Sequence, residues 1–259
     1  FNVNVDTDTV TDLTTGDILV VSSGAIANAT NISGFNATSS TTNSGTANLT
    51  AASGGGTIDM SSAGGSSSYN LIGGAGVDTL TGDAGNDTFT VAAAGEANSD
   101  TLDGGGGTDT IQLSTGVHAL TTNSKVQNIE TILAHASGSN VDLTNQTESF
   151  TVTGGAAVDT LKGGGAADII TGNGGNDVIT GGGGNESLTG KAGNDTFNVD
   201  SGTDTITDLA TGDDLVVSGS ATATANNVSA FVADSDTTNG GAATINAASG
   251  GSTITLTNS

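Results

Sequence analysis

The chain has 259 residues, and three basic side chains stand against 27 acidic ones, a formal charge of −24. So few cations leave no patch to neutralise phosphates, which excludes nucleic-acid binding and disfavours anionic membrane surfaces. There is no cysteine, which rules out disulfides, zinc–thiolate centres and thiol nucleophiles, and no apolar run approaches the ~20 residues of a membrane-spanning helix, so membrane insertion is not expected.

Glycine fills 42 positions and proline none. Low aromatic content and abundant Gly, Ser, Thr and Asn lean towards disorder, yet Val, Ile and Leu recur at regular spacing. The chain is therefore expected to order when something cancels its charge. It opens at Phe1 with neither Met nor a basic-then-apolar leader, and reads as a fragment or a processed product.

In chain order, residues 1–63 hold DILVV, NISGF and GTIDM between Ser/Thr/Asn/Gly stretches, which predicts strands with loose loops. Residues 64–112 contain a nine-residue repeat: GGAGVDTLT from Gly73, GDAGNDTFT from Gly82, GEANSDTLD from Gly95 and GGGGTDTIQ from Gly104. Residues 113–150 carry NIETILA, NVDLTN and ESFTVTG, which predict broader coils without metal turns. Residues 151–207 hold a second, unbroken array: GGAAVDTLK from Gly154, GGGAADIIT from Gly163, GNGGNDVIT from Gly172, GGGGNESLT from Gly181 and GKAGNDTFN from Gly190. A degenerate VDSGTDTIT follows from Val199, and its counterpart VNVDTDTVT starts at Val3. Residues 208–259 repeat residues 12–63. Phe1–Ala63 aligns with Phe197–Ser259 without gaps, roughly half of it identical, so one long period of 196 residues is followed by the start of another. That pattern is expected of a piece of a longer tandem array.

Each short unit has one logic. Six residues, GGxGxD, make a turn in which glycine supplies positive φ or the absence of a Cβ. Three residues then make a short strand whose central side chain is large and apolar: Leu80, Phe89, Leu102, Ile111, Leu161, Ile170, Ile179, Leu188, Phe197 and Ile206. Two units make one full coil with two parallel strands, and stacked coils bury a continuous apolar column that no single unit can bury.

These nonapeptides resemble the hemolysin-type calcium-binding repeats of RTX proteins, GGxGxDxUx, over about 100 residues. The resemblance implies an all-β fold, a parallel β-roll or β-solenoid with calcium-binding turns and broader β-helical coils between the arrays. The segments around the arrays resemble those of bacterial surface-layer and adhesin-like proteins.

The sixth-position acids are Asp8, Asp78, Asp87, Asp100, Asp109, Asp159, Asp168, Asp177, Asp195 and Asp204. Units two apart share an edge of the coil, so Asp159, Asp177 and Asp195 form one column and Asp168, Glu186 and Asp204 the other. Turns stacked about 4.8 Å apart bring like charges close, at a cost of roughly 1 kcal/mol per pair even in water. A hard divalent cation removes that cost. Ca²⁺ takes six to eight oxygens, which carboxylates and glycine-rich carbonyls supply, whereas zinc and copper want His or Cys clusters and Mg²⁺ resists dehydration.

As the resemblance implies, several Ca²⁺ ions sit between consecutive turns, held with the aspartates by turn glycines: Gly73, Gly76, Gly82, Gly85, Gly104, Gly107, Gly154, Gly163, Gly172, Gly175, Gly181, Gly190 and Gly193. Departures from the pattern mark weaker sites. Glu186 is longer than Asp, Ala157 and Ala166 replace fourth-position glycines, and Val199 replaces a first one. Asp83, Asn173 and Lys191 occupy the second position, where glycine is not essential. The units at Val3, Gly95 and Val199 are expected to bind poorly.

No catalytic constellation is present, and the chain is read as not an enzyme. His118 and His135 are isolated, HExxH and GxSxG are missing, and regularly stacked carboxylates suit a metal ladder better than acid–base work. The leading expectation is a secreted structural protein of the extracellular space or cell surface. It folds on meeting external calcium after type I export and assembles with itself into a surface layer, filament or adhesin stalk, with cell-surface polysaccharide as a further partner. The alternatives are the calcium-binding tail of a secreted protease or lipase, or a module that binds ice or glycan.

Overall fold

The computed structural model describes residues 1–91, 99–249 and 252–256. The first four residues of the Gly95–Asp103 unit, Gly95 and Glu96 among them, lie outside the described residues. Among the described residues the strands pair in parallel, and the one helical element is a 3₁₀ turn, Asn123–Lys125. The chain forms two compact units, Phe1–Ser114 with Thr122–Ile132 and Thr115–Thr121 with Leu133–Ser259.

In the first unit one parallel ladder runs through Thr7–Val10, Ile26–Ile32, Thr46–Ala51, Asn70–Ile72, Thr88–Val91 and Thr110–Leu113. A second runs through Gly34–Asn36, Thr57–Asp59, Thr79–Thr81, Thr101–Asp103 and Val126–Gln127. Asn2–Val3, Val20–Val21 and Thr42–Asn43 add a short third wall. In the second unit the ladders are Thr151–Thr153, Ile169–Gly174, Ser187–Ala192, Thr203–Ile206, Thr222–Val228 and Ala242–Ala247, and opposite them Gly116–Ala119, Ser139–Asp142, Thr160–Lys162, Val178–Thr180, Thr196–Val199, Asp214–Val217 and Thr238–Asn239. Ala230–Ala233 pairs with Thr253–Leu256.

The short period explains this architecture. A three-residue strand such as Thr160–Lys162 points its middle side chain, Leu161, inward and its flanks outward. In the second array the register is 18 residues, so Leu161, Ile179, Phe197 and Leu215 stack directly, as do Val152, Ile170, Leu188 and Ile206. All ten strand centres named from the sequence are buried. At roughly 1.5–3 kcal/mol for each fully buried Leu, Ile or Phe, these columns supply the apolar drive of the fold. The segments beside the arrays use three strands per coil, as in Thr42–Asn43, Thr46–Ala51 and Thr57–Asp59, and are the broader coils their looser spacing suggests. Outside, Asn70 donates to Asn48 and Asn48 to Asn28 at 2.6 and 2.8 Å, an amide ladder that follows the same register.

Candidate metal centre

The turn acids face inward. Asp78, Asp87, Asp100, Asp109, Asp159, Asp168, Asp177, Asp195 and Asp204 are each at most 2% exposed, and Glu186 is as well. Apart from Glu186, each of these acids places its carboxylate on the coil before it. Asp177 Oδ1 accepts the Asp159 N–H at 2.8 Å, Asp195 Oδ1 the Asp177 N–H at 2.9 Å, and Asp213 Oδ1 the Asp195 N–H at 3.0 Å. On the other edge Asp168 Oδ1 caps the Phe150 N–H at 2.7 Å and Asp204 Oδ1 the Glu186 N–H at 3.2 Å. In the first unit Asp100 caps Asp78 at 2.9 Å and Asp109 caps Asp87 at 2.6 Å, both across 22 residues. The second carboxylate oxygen often turns back on its own turn, as Asp159 Oδ2 does on the Gly155 N–H at 2.6 Å and Asp168 Oδ2 on the Gly164 N–H at 2.8 Å.

Some oxygens have no such partner. Asp109 Oδ2, Asp177 Oδ2, Asp204 Oδ2 and both Glu186 carboxylate oxygens are buried without a hydrogen bond. An uncompensated buried carboxylate is expensive, and the chain has only three basic residues to offset 27 acids. The price shows in proton affinity. Burial, then Asp83 and Asp109, pushes Asp87 up to about 7. Burial and then Glu130 push Asp109 up to about 6, and burial, then Asp195 and Asp159, push Asp177 up to about 6. Asp159, Asp168, Asp195 and Asp204 are raised for the same first reason. Glu186 is raised by burial and then by Asp204, which shares its hollow.

The glycines shape what lies between these oxygens. A Cβ built on Gly172 would run into Asp177 Oδ2 and approach the Gly190 carbonyl, and one on Gly163 would meet the Gly181 carbonyl and Asp168 Oδ2. Gly154 faces the Gly172 carbonyl and Asp159 Oδ2, Gly82 the Gly104 carbonyl and Asp87 Oδ2, and Gly104 the Asn128 carbonyl and Asp109 Oδ2. Gly181 is bounded by Asp204 and Glu186 oxygens, and Gly190 by Asp195. Gly73 is looser, with Asp78 Oδ2 at 3.4 Å and Asp100 Oδ2 at 3.6 Å from the same point.

Fourth-position Gly76, Gly107, Gly175 and Gly193 take positive φ, up to 146° at Gly193. They and Gly85 bring the turn against the backbone of the preceding coil, where a Cβ would clash. Asn173 and Lys191 hold φ of 76° and 75° at the second position, as Gly105 and Gly182 do at 87° and 96°, whereas Asp83, Gly74, Gly155 and Gly164 do not, so some of these turns use a left-handed backbone there and others do not.

The result is an oxygen-rich hollow between a carboxylate of one turn and a carbonyl of the next coil, with Ile170 Cδ1 also close at Gly163. That donor set fits Ca²⁺, with no nitrogen or sulfur for a softer metal. Asp159, Asp177 and Asp195 with the Gly172 and Gly190 carbonyls would hold ions on one edge, and Asp168, Glu186 and Asp204 with Gly181 on the other. Bound there, Ca²⁺ supplies the positive charge the ladder lacks.

A sequence model of the RTX calcium-binding nonapeptide repeat matches at residues 70–94, 93–116, 153–185 and 180–207. The chain carries RTX calcium-binding repeats. Their matches cover both arrays named from the sequence, and the parallel β-roll is the fold observed. No curated protein and no solved structure matches the chain.

Placement around the RTX repeats differs from the sequence list in three respects. Asp8 is exposed on Thr7–Val10, the first strand of its ladder, and is brought together with no other turn acid. Two acids outside the nonapeptides join the ladder: Asp213, and Glu130, whose Oε2 accepts the Asp109 N–H at 2.7 Å. The 18-residue step from Asp195 points to Asp213, whereas the 21-residue step to Glu130 follows no repeat. Finally, Asp214, Asp234 and Asp236 converge at the surface with one oxygen each within 4.8 Å of the others, and Asp214 donates its N–H to the Asp195 carbonyl at 2.7 Å.

Proposed function

We propose that this is a secreted, non-catalytic structural protein whose coils are set by calcium outside the cell and which then assembles with itself in a surface layer, filament or adhesin stalk. The observation that carries the reading is the buried carboxylate ladder, which has oxygen hollows and almost no basic residues to balance it. In low calcium the same charge holds the chain open for export, and external calcium at about 10⁻³ M matches the affinity range of extracellular calcium modules. Binding energy then becomes folding energy, because the hollows exist only when the coils are stacked.

Proteins with such repeats are typically secreted, and among the described residues no helix is long and apolar enough to cross a membrane. Stacked coils leave strand edges that suit head-to-tail association. Circular dichroism with calcium and with EDTA tests the folding step, with loss of the β signal in EDTA expected. Electron microscopy in calcium tests assembly: sheets or fibres are expected, and dispersed particles under all conditions refute it.

A further inference from the structure

In the second unit, Leu215, Val217, Phe231, Ile245, Ile254 and Leu256 line, together with Thr237, Thr238 and Asn239, a hollow of about 460 Å³. Leu256 is 67% exposed, and Ile245 and Ile254 are half-buried. The same positions occur one long period earlier as Leu19, Val21, Phe35, Leu49, Ile58 and Met60, and all six are at most 1% exposed. The two segments thus share a sequence and differ in cover.

The first copy shows what the cover is. Asn70–Ile72 pairs with Thr46–Ala51, setting Leu71 beside Leu49. Thr79–Thr81 pairs with Thr57–Asp59, setting Leu80 beside Ile58. Tyr69, Leu71 and Leu80 are buried in the process. Polar contacts fix the join: Met60 N–H to the Thr81 carbonyl at 2.9 Å, Gly64 N–H to the Thr41 carbonyl at 2.8 Å, and Asn43 Nδ2 to the Ser68 carbonyl at 2.7 Å. Asp78 Oδ1 also accepts the Gly56 N–H at 2.7 Å, which brings the first carboxylate of the array onto the seam. The counterparts of Asn43, Gly56 and Met60 are Asn239, Ser252 and Leu256, all exposed.

We propose that the face formed by Thr238–Asn239, Ala242–Ala247 and Thr253–Leu256 is a docking site for a second copy of the array coil of residues 64–91, stacked in the same chain direction. The incoming Tyr, Leu and Leu fill the hollow. The incoming aspartate takes the Ser252 N–H, so the carboxylate ladder continues across the seam and docking requires calcium. This rests on the calcium reading above and adds the partner and the surface.

The test uses the whole chain with residues 64–132 appended in frame after Ser259, compared with the unextended chain in calcium. Hydrogen exchange at Ala242–Ala247 and Thr253–Leu256 is expected to slow about tenfold or more on extension, towards the rates of Thr46–Ala51 and Thr57–Asp59. Ile254→Asp with Leu256→Asp, both at accessible positions, is expected to abolish that slowing while exchange across residues 151–207 stays unchanged. The docking is overturned if the appended array takes up calcium and leaves residues 242–256 unprotected, or if it stays disordered while the rest of the chain is loaded. An unextended chain that takes up no calcium overturns the calcium reading itself, and the docking with it.

Discussion

Asp8 and Asp204 stand at equivalent places in two copies of one sequence, and so do Asp17 and Asp213. Asp204 is buried with its Oδ1 on the Glu186 N–H at 3.2 Å, whereas Asp8 is exposed. Asp213 and Asp17 make the same local turn, to the Ala210 N–H at 2.8 Å and the Thr14 N–H at 2.9 Å. Only Asp213 also reaches back to a coil below, at the Asp195 N–H. Local sequence therefore makes the turn, and the preceding coil makes the site. The buried carboxylate exists where a backbone N–H one coil earlier is waiting for it.

Removing calcium should break the contrast most completely. At about 1 mM calcium and a Kd of about 10⁻⁴ M each site contributes about 1.4 kcal/mol, and several sites together exceed what a marginal domain can lose. In EDTA at pH 7 the second array is expected to lose its β signal and its exchange protection.

Closing a hollow comes next. Gly172→Ala should cost about 1–3 kcal/mol and one bound ion, because the methyl enters the space beside Asp177 Oδ2. Gly34→Ala, where nothing lies within 4 Å, should shift stability by no more than about 0.5 kcal/mol. Thermal unfolding in calcium separates the two.

Asp177→Asn keeps the acceptor for the Asp159 N–H and removes the charge. Calorimetric titration should show one ion fewer, and stability in calcium should fall by roughly 1–3 kcal/mol while stability in EDTA rises. Asp8→Asn should change neither.

Acid provides a gentler probe. Asp87, at about 7, and Asp109 and Asp177, at about 6, bind protons more tightly folded than in an unfolded chain, where Asp titrates near 3.9. Their contribution to the metal-free fold is therefore complete below about pH 4 and lost as pH rises through 6 to 7. A sample in EDTA should regain β signal as pH falls from 7 to 4, whereas bound calcium should be released over the same range. The smallest effect belongs to Lys191→Gly, which relieves a φ of 75° and should stabilise by up to about 1 kcal/mol.

Much of the site was legible because its period is short. The spacing of Leu161, Ile170, Ile179 and Leu188 names the core, and the aspartates one place before each strand name the ladder. Ala157 and Ala166 stand where a positive φ would otherwise fall, and neither adopts one, so those turns close differently. Glu130 was not legible, since it reaches Asp109 from a three-stranded coil whose length follows no nonapeptide. The Asp214, Asp234 and Asp236 cluster was hidden for a related reason: its members sit on separate strands and loops that only the fold brings together.

The sequence by itself determined the repeat, the inward face of each strand, the turn chemistry and the excess of charge, because all of these follow from nearest neighbours along the chain. The tertiary structure alone decided which carboxylates are buried, which oxygens lack a donor and which copy of a duplicated segment is covered. Those depend on what lies one coil away, 18 to 22 residues distant in sequence yet a single rung distant in space.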